Sequence, residues 1–376
     1  MVTPVQLPFY AKAALIIVGL YALISMLFVA QGIILPVIFA VLFAILLSPL
    51  VNFLVRKKIN RALAVAIVVL LSILFVVALI MLLASQATML KDALPQLTAK
   101  FRDMLGHTVT WASGYFNISQ QKVSTWLSET KNDLIPESGA AIGSTLSTLG
   151  SVLAVVFLTP VYIFMLLFYQ PHLVEFIHQI FGAGNNSKVS EILTAIKKII
   201  QSYLVGLFAE VGIIATLNSI GLYILGIDYA LLLGIAGALL NIIPYLGGLI
   251  AMGIFMTVAL LTKTPVYVLY VGGLYTLIQL IDNNYIVPKI VGSRVKLNAF
   301  VSILVVIAGA ALWGIPGMFL SIPLTAILKL IFDRIDSLKP LGFLLGDTMP
   351  PLVKLKLNFK DISKSFQGIL PTFNRK

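Results

Sequence analysis

Two apolar segments, 229–262 and 300–331, are too long to cross a bilayer once, and both are broken near their centres by proline and glycine. A thirty-residue helix is about 45 Å long at 1.5 Å per residue, against a hydrocarbon core of about 30 Å. The breaks fall at Pro244-Tyr-Leu-Gly-Gly248 and at Gly314-Ile-Pro-Gly317. Each half is then too short to cross alone. Two architectures fit: a re-entrant helical hairpin, or one long kinked span. The broken segments also nearly repeat each other. Ile235-Ala-Gly-Ala-Leu-Leu-Asn-Ile-Ile-Pro244 returns as Ile307-Ala-Gly-Ala-Ala-Leu-Trp-Gly-Ile-Pro316, pairing Gly237 with Gly309 and Pro244 with Pro316. Paired, interrupted hydrophobic segments are the sequence mark of a transporter's binding site.

Composition places these segments in an integral membrane protein. The chain is 60% hydrophobic and 11% charged, where soluble domains average about 25% charged. The first span, near Ala13, lacks a cleavage pattern and is read as retained. Without cysteine there are no disulfides or thiolate sites. His107, His172 and His178 all lie in polar stretches, which argues against a buried metal cluster. The net charge of +12 is read as basic loops flanking apolar spans, not as a nucleic-acid surface.

The expected fold is an all-α polytopic membrane protein. Six full spans are read at about 13–30, 33–54, 62–85, 149–169, 203–226 and 265–282, plus two broken hairpins, or eight spans if both hairpins cross. The short basic loop Arg56-Lys57-Lys58 with Arg61 faces the cytoplasm by the positive-inside rule. Both termini are then cytoplasmic. With two hairpins, only Lys91, Lys100, Arg102, Lys122, Lys131 and Lys263 fall outside, so charge favours that topology. Residues 203–262 and 265–331 become units of inverted topology, which place a substrate site near the midplane.

The organisation follows. Residues 1–85 form a three-span unit. Segment 86–148 is an extracytoplasmic amphipathic helical insertion, with Pro95 kinking its first helix or marking its start. Segment 149–202 joins a fourth span to a cytoplasmic amphipathic helix, in which Val189, Ile192, Leu193, Ile196 and Ile199 share a face. Residues 203–331 are the transport core, and 332–376 a basic tail suited to anionic lipid.

Ionisable and amide groups inside spans mark candidate chemistry, because burying them is costly. Glu210 lies within the fifth span and is suited to a coupling proton or cation. Gln279 and Asp282 share a helix face and, with Asn283 or Asn284, offer oxygen ligands or hydrogen bonds to a polar solute. The alternative is simple helix termination, with a turn at Val287-Pro288-Lys289. Asn241 sits at the first hairpin tip, and Asn218 lies about two turns beyond Glu210. Either asparagine binds solute or joins two helices. Pro244, Tyr245, Gly247 and Gly248 form the first tip, and Gly314, Pro316 and Gly317 the second. No P-loop, G-x-S-x-G or H-E-x-x-H is present. The chain is therefore read as no enzyme, with no catalytic residue, metal site or cofactor beyond a coupling H+ or Na+.

Asn241-Ile-Ile-Pro-Tyr-Leu-Gly247, Asp282-Asn-Asn-Tyr-Ile-Val-Pro-Lys-Ile-Val-Gly292, Leu297, Gly314-Ile-Pro-Gly317 and Ser321-Ile-Pro-Leu324 together resemble the AI-2E family of bacterial permeases. The resemblance covers nearly the whole chain. It departs from the family's frequent pattern at Gly248, Val287 and Asn298-Ala299, where Pro, Gln and His-Pro are common. It implies an inner-membrane secondary transporter that works as a homo-oligomer. Its named cargo is the quorum-sensing signal autoinducer-2, and similar proteins are also associated with sodium/proton exchange. The function expected is therefore ion-coupled export of a small polar solute, with Glu210, Gln279, Asp282, Asn283 and Asn284 at the site and Pro288 and Lys289 secondary. The alternatives are cation/proton exchange and, from another class, a non-transporting membrane scaffold acting through 86–148 and the tail.

Overall fold

The computed structural model describes residues 8–116, 157–182, 184, 186–244, 246–291 and 297–347. Tyr245, Gly292, most of the insertion after Phe116 and the tail beyond Asp347 lie outside the described residues. The elements run α1 (Phe9–Val29), α2 (Gln31–Arg56), α3 (Arg61–Phe116), α4 (Phe157–Phe168), α5 (Gln170–Phe181), α6 (Asn186–Ile224), α7 (Ala230–Asn241), α8 (Leu246–Thr262), α9 (Val266–Ile281), a π-helical segment (Asp282–Val291), α10 (Ala299–Arg334) and α11 (Lys339–Leu345). A short 3-10 turn, Asp336–Leu338, precedes α11. Among the described residues, five helices are long and apolar enough to cross a membrane: α1, α2, α3 up to Gln86, α6 and α10. The pair α4–α5, bent by 67°, makes a sixth if counted as one span. The chain is a multi-pass, all-α membrane protein.

α2, α3 and α4 pack through small and branched side chains. Ala40, Ala44 and Val51 meet Ala64, Val65, Val68, Ile163 and Leu167. α3 runs unbroken for 56 residues, through Pro95. The helix read as starting or kinking near Pro95 is thus a continuation of the third span. A proline gives up one intrahelical hydrogen bond, and the flanking turns carry the helix past it.

Both broken segments fold back on themselves. Gly226 and Tyr229 take left-handed φ values of 66° and 62° in the turn between α6 and α7. α7 then lies against α6, with Gly234 packed on Ser219. After the break at 242–244 the chain reverses. Ala230 and Leu233 of α7 share a core cluster with Phe255, Val258 and Ala259 of α8, and Gly237 lies against the Phe255 ring. α9 continues the reversal, with its Tyr275 ring edge-on to Phe255 at 5.5 Å.

α10 is two arms meeting at Trp313 and Gly314, whose backbones leave the helical region. Gly314 sits at φ 62°, a conformation open to glycine. Gly309 and Gly317, eight residues apart, touch backbone to backbone. Leu297 pairs with Gly346, and Asn298 N–H donates to the Leu345 carbonyl at 3.1 Å. Gly346 in turn lies beside Lys329 and Gly342 beside Asp333, so the start of α10 lies near its last turns, as a hairpin requires. The repeated glycines Gly237 and Gly309 hold equivalent places, each where the returning arm passes its partner. Trp313 Nε1 donates to the Leu27 carbonyl at 3.0 Å, fastening the tip to the unsatisfied end of α1. α1 buries none of its residues within the chain.

The described part of 265–298 departs from expectation in one respect. No turn forms at Val287-Pro288-Lys289. α9 has 16 residues and is prolonged by ten residues of π-helix that contain Pro288. A π ladder is rare and clusters at functional sites. It begins at Asp282.

Gly309→Val would force the α10 arms apart, because its Cβ would meet the Gly317 backbone. Overpacking costs about 1–3 kcal/mol or more. The melting temperature of the detergent-solubilised protein should fall by several degrees. Gly19→Val, at a position with nothing within 4 Å, should leave it unchanged.

Candidate functional site

α6, α7, α8 and α9 converge on one polar cluster in otherwise apolar surroundings. Asn241, the last residue of α7, is its hub. Its amide Nδ2 donates to Glu210 Oε1 at 3.4 Å and to Asp282 Oδ2 at 3.0 Å. Its Oδ1 accepts from Gln279 Nε2 at 3.1 Å. Gln279 Nε2 also donates to the Tyr275 hydroxyl at 2.9 Å. One side chain at the hairpin break thus joins two carboxylates from separate helices to an amide and a phenol.

Helix geometry accounts for the convergence. The antiparallel α6–α7 pair crosses at Ser219 and Gly234, and nine residues back along α6 this register brings Glu210 level with Asn241. Tyr275, Gln279 and Asp282 project from one face of α9 and its π extension, at spacings of four and three residues. Gly248, at the start of α8, completes the wall. A Cβ there would lie 2.6 Å from Gln279 Nε2 and 3.4 Å from Asn241 Oδ1, so only glycine lets these amides approach the α8 backbone this closely.

The electrostatics are unbalanced. Glu210 is 7% and Asp282 1% exposed, yet neither has a basic partner among the described residues. Asp282 Oδ1 is buried without any hydrogen bond. Two buried carboxylates sharing one amide repel each other unless a proton or cation lies between them. Among the described residues no group of three or more His, Cys, Asp or Glu is placed to hold a metal ion. The donor set of Glu210, Asp282, Asn241 and Gln279 is rich in oxygen, the donor type that hard cations take.

The other residues singled out from the sequence lie apart. Asn283 and Asn284 are exposed, and Asn284 donates back to the Leu280 carbonyl. Pro288 and Lys289 are exposed, with the Lys289 ammonium 4.0 Å from the Tyr285 ring centre. Asn218 is 1% exposed and neither of its amide atoms has a partner. Gly247 packs on Leu240. Gly314, Pro316 and Gly317 do not touch the cluster through any hydrogen bond. The two breaks are linked through apolar contact instead. Ile242 and Trp313 pack on the same group of Leu42, Leu204, Leu207 and Leu320. One contributor, Tyr275, was not singled out from the sequence, although it sits four residues before Gln279, a spacing that could have revealed it.

A double-mutant cycle checks the hub. Asn241→Ala and Asp282→Asn should each change the unfolding free energy, with a coupling of about 0.5–3 kcal/mol between them. Additivity would mean that the amide and the carboxylate act independently.

The AI-2E family transporter profile matches residues 13–337. YueF of Bacillus subtilis (strain 168) is 28% identical over 258 residues, covering 66% of this chain and 68% of its own. A Borreliella burgdorferi protein is 33% identical over 129 residues, 34% of this chain and 36% of its own. YhhT of Escherichia coli (strain K12) is 29% identical over 131 residues, 35% of this chain and 38% of its own. All three are provisionally named transport proteins, with no cargo in the name. The match spans most of the helices described above and takes in the whole polar cluster: this chain belongs to the AI-2E transporter family.

Proposed function

We propose that the protein is a secondary transporter that exports a small polar solute of the autoinducer-2 kind, driven by an ion held between Glu210 and Asp282. The observation that carries this reading is the pair of buried carboxylates, without a counter-charge, bridged by Asn241 at the break of the first hairpin. A buried acidic pair of this kind binds a proton or cation more readily than it stays empty. Because Asn241 ends α7, occupancy of the pair bears on the position of the tip. The solute's hydroxyls find donors and acceptors in Gln279 and Tyr275. The reading includes a bacterial inner membrane, both termini cytoplasmic, and a homo-oligomer. α1, which buries nothing within its own chain, leaves a long apolar face for lipid or a second copy.

A second reading is cation/proton exchange without an organic solute. The same uncompensated pair favours it, since the two carboxylates suffice to alternate between a proton and a sodium ion.

Proteoliposomes separate the two. Wild-type protein should show either gradient-driven solute flux or sodium-dependent proton flux. Glu210→Gln should lower that flux by about tenfold or more, the scale of losing a group that must change its charge. Undiminished flux in Glu210→Gln would remove the coupling role. Sodium-dependent proton flux with no solute movement would favour exchange.

A further inference from the structure

A cavity lies away from the polar cluster, at the bend between α4 and α5. Its volume is about 400 Å³, within the roughly 300–1,000 Å³ of small-molecule sites. Ala44 of α2, Leu167 of α4, Ile177 of α5 and Ile196 of α6 give it apolar walls. Its polar groups include Lys197, His178, Ser190 and Gln170. His178 Nε2 and Ser190 Oγ lie 3.3 Å apart, while His178 Nδ1 is buried without a partner. Lys197 has no acidic partner among the described residues. Behind the wall, Arg61 Nη2 donates to the Leu167 carbonyl at 2.7 Å and to Gln170 Oε1 at 3.2 Å, holding the bend and adding positive charge.

The position selects the occupant. The cavity lies where the apolar α4 gives way to the amphipathic α5, and Arg61 is bonded to its wall at Leu167 and Gln170. It pairs an apolar chamber with an unpaired cation and hydroxyl and imidazole groups. That is the chemistry of a molecule with a hydrocarbon chain and an anionic head. The chain's own tail is a poor occupant, because Lys354, Lys356 and Lys360 would be repelled by Lys197.

We propose that this cavity is a binding site for an anionic phospholipid. One acyl chain lies between α2, α4 and α6, and the phosphate meets Lys197, Ser190 and His178. The bound lipid braces the α4–α5 bend against α6, the helix that carries Glu210.

Native mass spectrometry of the full-length detergent-solubilised protein, titrated with phosphatidylglycerol or phosphatidylcholine, tests this. Wild type should take up one phosphatidylglycerol with roughly tenfold preference over phosphatidylcholine, as one charge-assisted contact supplies. Lys197→Gln should bring the preference close to unity. Ile177→Trp, which fills the chamber, should weaken both lipids. Lys198→Gln, at the exposed neighbour outside the cavity, should leave the preference unchanged. Inorganic phosphate alone should not compete. Equal affinity for both lipids in wild type, or a preference that survives Lys197→Gln in folded protein, would overturn the proposal. Competition by free phosphate would assign the polar end to an ion in place of a lipid.

Discussion

The packing of α6, α7, α8 and α9 turns on Asn241. Its two amide protons are shared between carboxylates on α6 and on the extension of α9, and its carbonyl accepts from Gln279. In water such bonds would be worth little. Here the alternative is a buried carboxylate with no partner, so each bond is costly to lose. Asn241 is placed by the break that follows it, and the break by the packing of Gly237 on Phe255 and of Gly247 on Leu240. Four helices are held in register by contacts whose centre is polar and incompletely satisfied.

Two buried carboxylates facing one amide set this cluster apart from a closed hydrogen-bond network. A network built for stability closes its hydrogen bonds, as Gln201 does between the Ile45 carbonyl and Ser48. At the Asn241 cluster, Asp282 Oδ1 stays unpartnered and two negative groups face one amide. The second hairpin adds no polar atom to the cluster. Trp313 at its tip packs on the same group of leucines as Ile242, so the two breaks are joined by apolar packing. Non-helical backbone at such depth is tolerable only when packed in protein or facing a wet cavity.

Much of this was legible in the residues. Segment length against bilayer thickness required a break in 229–262 and 300–331, and both segments fold back. Glu210, Asn241, Gln279 and Asp282 stood out as polar groups in apolar runs, and the structure brings all four together. Their mutual contact was not legible, because it depends on the register of α6 on α7, fixed by the fit of Gly234 against Ser219. The α-helical part of the sixth span ends at Ile281, close to the end read at 282, but the turn offered as the alternative at 287–289 does not form, for a physical reason. Asp, Asn and Pro favour turns in water, whereas at 282–291 the chain stays helical by widening to a π ladder. Asn283 and Asn284 fall on the far face of that ladder and miss the cluster. The cavity at the α4–α5 bend left no motif, since its residues come from three separated segments, 41–48, 166–178 and 190–197.

The lack of cysteine allows the most direct test of whether the cluster is a site reached in turn from each side. A single cysteine replacing Gln279 is probed in sealed vesicles of either orientation with a membrane-impermeant maleimide, with and without a sodium or pH gradient. The expected result is labelling from both sides, with the favoured side changing when the gradient is reversed. Labelling from one side under every gradient, or from neither, would contradict a transport site built on Glu210, Asn241 and Asp282.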